Sequence, residues 1–175
     1  MVNILRQPLF LFILKILGVY LFWQILYTTY LHSNSSLDLT VVELTIKHSK
    51  WILNLLGFRT FTGAVRLIGI DNTSGLWMGD PCNGIILFAL FSSFIIAFPG
   101  PLKSKIWFIP SGIIIIYLAN VLRVVLLAII QLYVSRSTLE FHHTYTFTYL
   151  VYSLIFFMWW IWVNQFSGLI KKGEK

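Results

Sequence analysis

Three kinds of side chain in this sequence stand where their chemistry is conspicuous. Cys82 is the only thiol, in Asp80-Pro81-Cys82-Asn83-Gly84 at the mouth of an apolar run. Arg123 lies inside another apolar run, three residues after Asn120, and the pair His142-His143 heads a third. Thiol, guanidinium and imidazole are the parts of nucleophilic acyl transfer. The thiolate attacks a carbonyl, a fixed cation holds the developing oxyanion, and neutral imidazole takes the thiol proton and returns one to a leaving amine. Each residue also has a plainer reading. A lone cysteine in an apolar chain is ordinarily small apolar filler. An arginine near a membrane surface snorkels, and histidine anchors interfaces beside Tyr and Trp.

The elements that must position these groups are hydrophobic. With 58% hydrophobic residues, mean hydropathy +0.81 and 11% charged residues, the chain lacks the polar surface to coat a globule in water. It reads as a single integral membrane unit over 1–175. The net charge of +7 does not point to nucleic acid, because the basic residues lie mostly at segment ends rather than in one patch. The first apolar run is too long for a removable leader and closes on no small-residue cleavage pattern, so a retained span is expected.

Four runs are candidate spans: 8–30, 82–98, 106–134 and 144–166. A span needs about 20 apolar residues. The second run is at the short limit. The third is long and is expected to tilt, project beyond the bilayer or break near Asn120. Arg6 and Lys15, then Lys103 and Lys105, then Lys171, Lys172 and Lys175 fall on one side if there are four spans. In 31–81, Lys47, Lys50, Arg59 and Arg66 balance Asp38, Glu43, Asp71 and Asp80. The bias places both termini in the cytoplasm. Cys82, Arg123 and the histidines then reach the same, extracytoplasmic face. Arg123 is about 26 Å along its helix from Ile106 at about 1.5 Å per residue, which matches that level.

The extracytoplasmic segment 31–81 has structure of its own. Val41 to Phe58 patterns as an amphipathic helix lying in the interface. Residues 64–70, 71–75 and 76–78 read as strand, turn and strand, a small hairpin that delivers the chain to Cys82. Asp80 is suited to cap the following helix and Pro81 to its first turn. That would leave Cys82 among unsatisfied N–H groups at the positive helix end, which favours thiolate. Gly84 would clear room for a substrate backbone. Asn120 shares a helix face with Arg123, and the two could hold one anionic or carbonyl group. The fold class is all-α polytopic membrane protein: about four transmembrane helices, one interfacial helix and one β-hairpin.

The order Cys82-Asn83-Gly84, then Asn120-Val121-Leu122-Arg123, then Phe141-His142-His143 resembles the exosortase/archaeosortase family of membrane enzymes. The resemblance covers roughly 65–152 and includes the run Phe147-Thr148-Tyr149-Leu150-Val151-Tyr152. It implies Cys82 as nucleophile, Arg123 as polarising partner and His143 as acid/base, with His142 the alternative. Asn120, Gly84 and Asn83 take supporting roles. Many members carry Ser at the position of Asn83, and a glycine often stands where this chain has Phe147. The implied activity is that of a cysteine protease or transpeptidase. It would cleave secreted proteins bearing a C-terminal motif, a transmembrane helix and a basic tail, at the outer face of a bacterial inner membrane. The thioester would pass to water or to a lipid or glycan acceptor. No cofactor, metal or nucleic acid is implied. The competing classes are a non-catalytic membrane subunit of an envelope assembly or polysaccharide export apparatus, and a small transporter. The lack of internal repeats and the modest number of spans count against the transporter.

Overall fold

The computed structural model describes residues 3–31, 36–63, 65–79, 82–134 and 136–167. Its helices are α1 (Asn3–Leu26), α2 (Ser36–Leu55), α3 (Ile85–Ala97), α4 (Leu102–Ile130), α5 (Arg136–Phe141) and α6 (Phe147–Ile161). Wide π turns extend α1 over Tyr27–Leu31, precede α6 over His142–Thr146 and follow it over Trp162–Phe166. Three strands, β1 (Thr60–Gly63), β2 (Leu67–Ile70) and β3 (Leu76–Trp77), form an antiparallel sheet in sequence order. The protein is a helical membrane protein with one small sheet.

Among the described residues, three helical stretches are long and apolar enough to cross a bilayer: Phe10–Thr29, Leu102–Ile130 and Phe147–Phe166. Their exposed side chains include Phe10, Leu14, Phe22, Ile114, Leu118, Tyr149, Phe156 and Trp160. In water such a surface would aggregate; in lipid it is the solvent-matched face. The apolar run 82–98 is helical only over its 13 residues Ile85–Ala97. At about 1.5 Å per residue that rises about 20 Å, short of the roughly 30 Å hydrocarbon core.

The long helix α4 is the centre. It is unbroken through Asn120, so of the three accommodations open to the long third run the break is not used. Its buried residues serve two main cores, and Leu127 joins a smaller cluster with Leu139 and Phe147. Toward the sheet end, Val124, Val125 and Ala128 pack with Val42 and Leu53 of α2 and with Ile68, Ile70 and Met78. Toward the other end, Ile116 packs with Phe91 and Ile95 of α3 and with Val151, Ile155, Met158 and Trp162. Gly112 permits the second core, because a β-carbon there would lie 2.2 Å from the Phe91 ring. Lys105 closes the α3–α4 turn, its Nζ donating to the carbonyls of Ile96 and Phe98 at 2.8 Å each.

The amphipathic helix begins earlier than the expected Val41, at Ser36. Asp38, Val42, Thr45, Ile46, Ser49 and Leu53 form its buried face, at helical spacing. Exposed Glu43, Lys47 and Asn54 lie on one polar stripe. Exposed Leu37, Leu44, Trp51 and Leu55 lie on another, apolar one. The helix is tied to α4 by His48 Nδ1 to the Tyr117 hydroxyl at 2.7 Å.

The hairpin falls at the expected turn. Asn72 (φ 68°) and Gly75 (φ 75°) supply the left-handed positions, and the Thr73 amide donates to the Ile70 carbonyl at 3.0 Å. The extra strand β1 adds the pair Phe61↔Gly69, where a β-carbon on Gly69 would lie 2.6 Å from the Phe61 ring. Gln131, just past α4, donates to Ser74 Oγ at 2.8 Å and so fixes the turn to the central helix.

Gly112→Ala forces Phe91 or α3 to move. We expect it to destabilise the protein by about 1–3 kcal/mol, read as a lower melting temperature in mild detergent. Gly18→Ala, with nothing within 4 Å of the new carbon, is expected to leave the melting temperature unchanged.

Candidate active site

The turn carrying Cys82 is held from several sides. Its own N–H donates to the Gly79 carbonyl at 2.9 Å. Its carbonyl accepts from Asn120 Nδ2 at 2.8 Å. The next residue, Asn83, is 2% exposed, and its Oδ1 accepts from the Ile85 N–H at 2.9 Å. Its Nδ2 donates to the Asp38 carboxylate. Gly84 sits at φ 82°, a conformation that penalises a β-carbon.

This geometry revises the expected cap. Asp80 and Pro81 lie outside the described residues. The helix starts at Ile85, where the Asn83 side chain receives the first free N–H and left-handed Gly84 interrupts the helical run. Cys82 therefore stands in the turn ahead of α3 rather than within its first turn, and helix-dipole stabilisation falls off over that distance. Gly84 serves the backbone turn; a β-carbon there would meet Phe88 and Asn120 only at ordinary contact distances of 3.7–3.8 Å. Asn120 commits one amide N–H to the Cys82 carbonyl, and with Arg123 it lines a small cavity.

Cys82 Sγ lies 3.5 Å from His143 Nε2. His143 stands in the π turn before α6, which lets the neighbouring histidine point elsewhere: His142 Nδ1 lies 3.0 Å from Thr146 Oγ1. The structure thus brings His143, not His142, to the thiol. Arg123 Nη2 donates to the His143 carbonyl at 3.3 Å. Burial, and secondarily the Arg123 charge, lower the His143 pKa from its ordinary value. A neutral ring is the form that accepts a thiol proton.

Cys82, Arg123 and His143 line two openings. One is a cavity of about 40 Å³ roofed by Leu76, Trp77 and Met78 of the hairpin. The other is a groove of about 310 Å³ between α3 and α6, bounded by Ile86, Leu87, Phe147, Thr148 and Tyr152. Phe147, 6% exposed, also packs with Leu127 and Leu139. The sequence reading missed Asp38 and Tyr27, whose hydroxyl donates to the Asp38 oxygens at 2.8 and 3.0 Å. A signal existed: Asp38 falls one turn before Val42 on the apolar face of α2, where a solvated charge does not belong.

The fold and site together define a polytopic membrane protein with a thiol–imidazole pair beside a half-buried guanidinium. A sequence model of the transmembrane exosortase family matches residues 2–161, and the chain belongs to that family. No curated protein sequence and no solved structure gives a match.

Histidine-selective NMR of the detergent-solubilised protein, assigned by a His143→Gln variant, is expected to show His143 titrating below about 6.5, the ordinary imidazole value. Arg123→Gln removes one of the two depressing causes. It should move that midpoint upward but leave it below the ordinary value, because burial remains.

Proposed function

We propose that this exosortase is a membrane-embedded cysteine protease or transpeptidase acting on the C-terminal sorting segments of secreted proteins. The observation that carries the reading is the 3.5 Å approach of Cys82 Sγ to His143 Nε2, with Arg123 lining the same openings. Sγ attacks the scissile carbonyl and its proton passes to His143. Arg123 has donors beyond its bond to the His143 carbonyl and faces the carbonyl oxygen as charge develops there. His143 returns the proton to the leaving amine, the C–N bond breaks and a thioester remains on Cys82. Water or an acceptor nucleophile from a lipid or glycan then releases it.

The topology that suits this chemistry is multi-pass in a bacterial inner membrane, with both termini cytoplasmic and the sheet end outside. The two-striped α2 suits a helix at the outer interface, its polar stripe toward headgroups and its apolar stripe toward lipid. The groove between α3 and α6 is where the substrate's membrane helix docks, placing the peptide bond above it at Cys82. Such a substrate is already confined to the bilayer, so a lateral groove serves in place of a deep pocket.

Cys82→Ala should abolish processing, so that tail-bearing proteins accumulate uncleaved on immunoblots while the variant still inserts. His143→Ala should cost about 10²–10⁴-fold in rate, and Arg123→Gln about 10²–10³-fold. Normal processing in the Cys82→Ala strain would sink the enzymatic reading and favour a non-catalytic envelope subunit.

Ile86 is 46% exposed at the groove. Ile86→Trp fills it and should slow cleavage of a membrane-tailed substrate by about tenfold, roughly one hot-spot contact. Small-reagent alkylation of Cys82 should change by less than about twofold, since the thiol itself is untouched.

A further inference from the structure

We propose that Asp38 is a positioning residue for Cys82, an inference that rests on the reading of Cys82 as the nucleophile. Asp38 lies in the first turn of α2, far from Cys82 in sequence, and is 2% exposed. A buried carboxylate is costly and adds little net stability compared with an apolar side chain of similar volume. Its place here is explained by what it does to Asn83.

An Asn amide presents a donor end and an acceptor end that can exchange by rotation. An ionised carboxylate only accepts. Asp38 therefore draws the Nδ2 end of Asn83 toward itself, which turns Oδ1 toward the Ile85 N–H. That orientation caps α3. The Tyr27 hydroxyl donates to the same carboxylate. The peptide between Cys82 and Asn83 is then clamped at both ends, by the Asn83 side chain on one and by Asn120 on the Cys82 carbonyl on the other. With the backbone fixed, one side-chain torsion sets the position of Sγ, 3.5 Å from His143 Nε2. A charge-assisted bond is roughly twice as strong as a neutral one, so the carboxylate makes this rotamer choice more decisive than a neutral acceptor would.

The test uses full-length protein in mild detergent with iodoacetamide as the probe. Cys82 is the only cysteine, so the mass gain reports this thiol alone. In the native protein, His143→Ala is expected to lower the alkylation rate by about tenfold, the activation an adjacent base gives a thiol. In an Asp38→Ala background the same change should lower it by less than about twofold, the non-additivity expected when Asp38 acts through the same thiol. Turnover of Asp38→Ala should fall by about tenfold with KM within about twofold of native.

Asp38→Asn combined with Asn83→Asp exchanges donor and acceptor while keeping the link. The new amide donates to the new carboxylate, which still accepts from the Ile85 N–H. This pair should restore the tenfold His143 dependence, and it carries the test if Asp38→Ala does not fold. An Asp38→Ala protein that keeps the full His143 dependence would overturn the proposal, as would an exchanged pair that folds without regaining it. A native protein whose alkylation ignores His143→Ala would instead overturn the active-site reading beneath it.

Discussion

The hydrogen bond from Asn120 Nδ2 to the Cys82 carbonyl is the join on which the architecture turns. It ties the loop leaving the sheet to the central helix at the level where the two cores meet. Above it, α2, the sheet and the end of α4 enclose one core; below it, α3, α4 and α6 enclose the other. A buried amide in an apolar helix is tolerated only when its polar atoms are satisfied. Asn120, 3% exposed, meets that condition by holding the backbone of the Cys82 turn. Arg123 is one helical turn further on and follows the same logic with a charge. Insertion scales put a central arginine at about 2.5–3.5 kcal/mol, and here the guanidinium lies between a sheet-side cavity and a lateral groove.

Much of this was legible in the sequence, for physical reasons that differ by element. The apolar runs were visible because lipid demands uninterrupted hydrophobic length. The turn at 71–75 was visible because left-handed backbone selects Asn and Gly. Arg123 was visible because it is the wrong residue for its surroundings. The family resemblance rested on these same polar exceptions, and the match over 2–161 extends it across nearly the whole chain.

What escaped were features fixed by contacts distant in sequence. Strand β1 has no alternation strong enough to announce it, and it exists because Phe61 lies over Gly69. The start of α3 is hidden in the sequence because the apolar run begins before the helix does, and the Asn83 side chain rather than a run of hydrophobics decides where the helix starts. In the sequence Asp38 reads only as one charge in the balance of 31–81. Its burial becomes evident once α2 is seen to point that face inward. The resemblance already favours His143 over His142, but the π turn that carries both rings leaves no mark in local patterns.

The shortness of α3 links the site to the thickness of its surroundings. A helix about 20 Å long in a slab about 30 Å deep leaves roughly 10 Å of hydrophobic mismatch. Long α4, and α6 together with the wide turn that carries it to Phe166, are long enough to cross, so the deficit is local to one wall of the groove. There the lipid must pucker inward or the polar turn at 82–84 must sit below the headgroups. Either way, the depth of the thiol is set jointly by the protein and by acyl-chain length, and the membrane becomes a component of the site rather than its container.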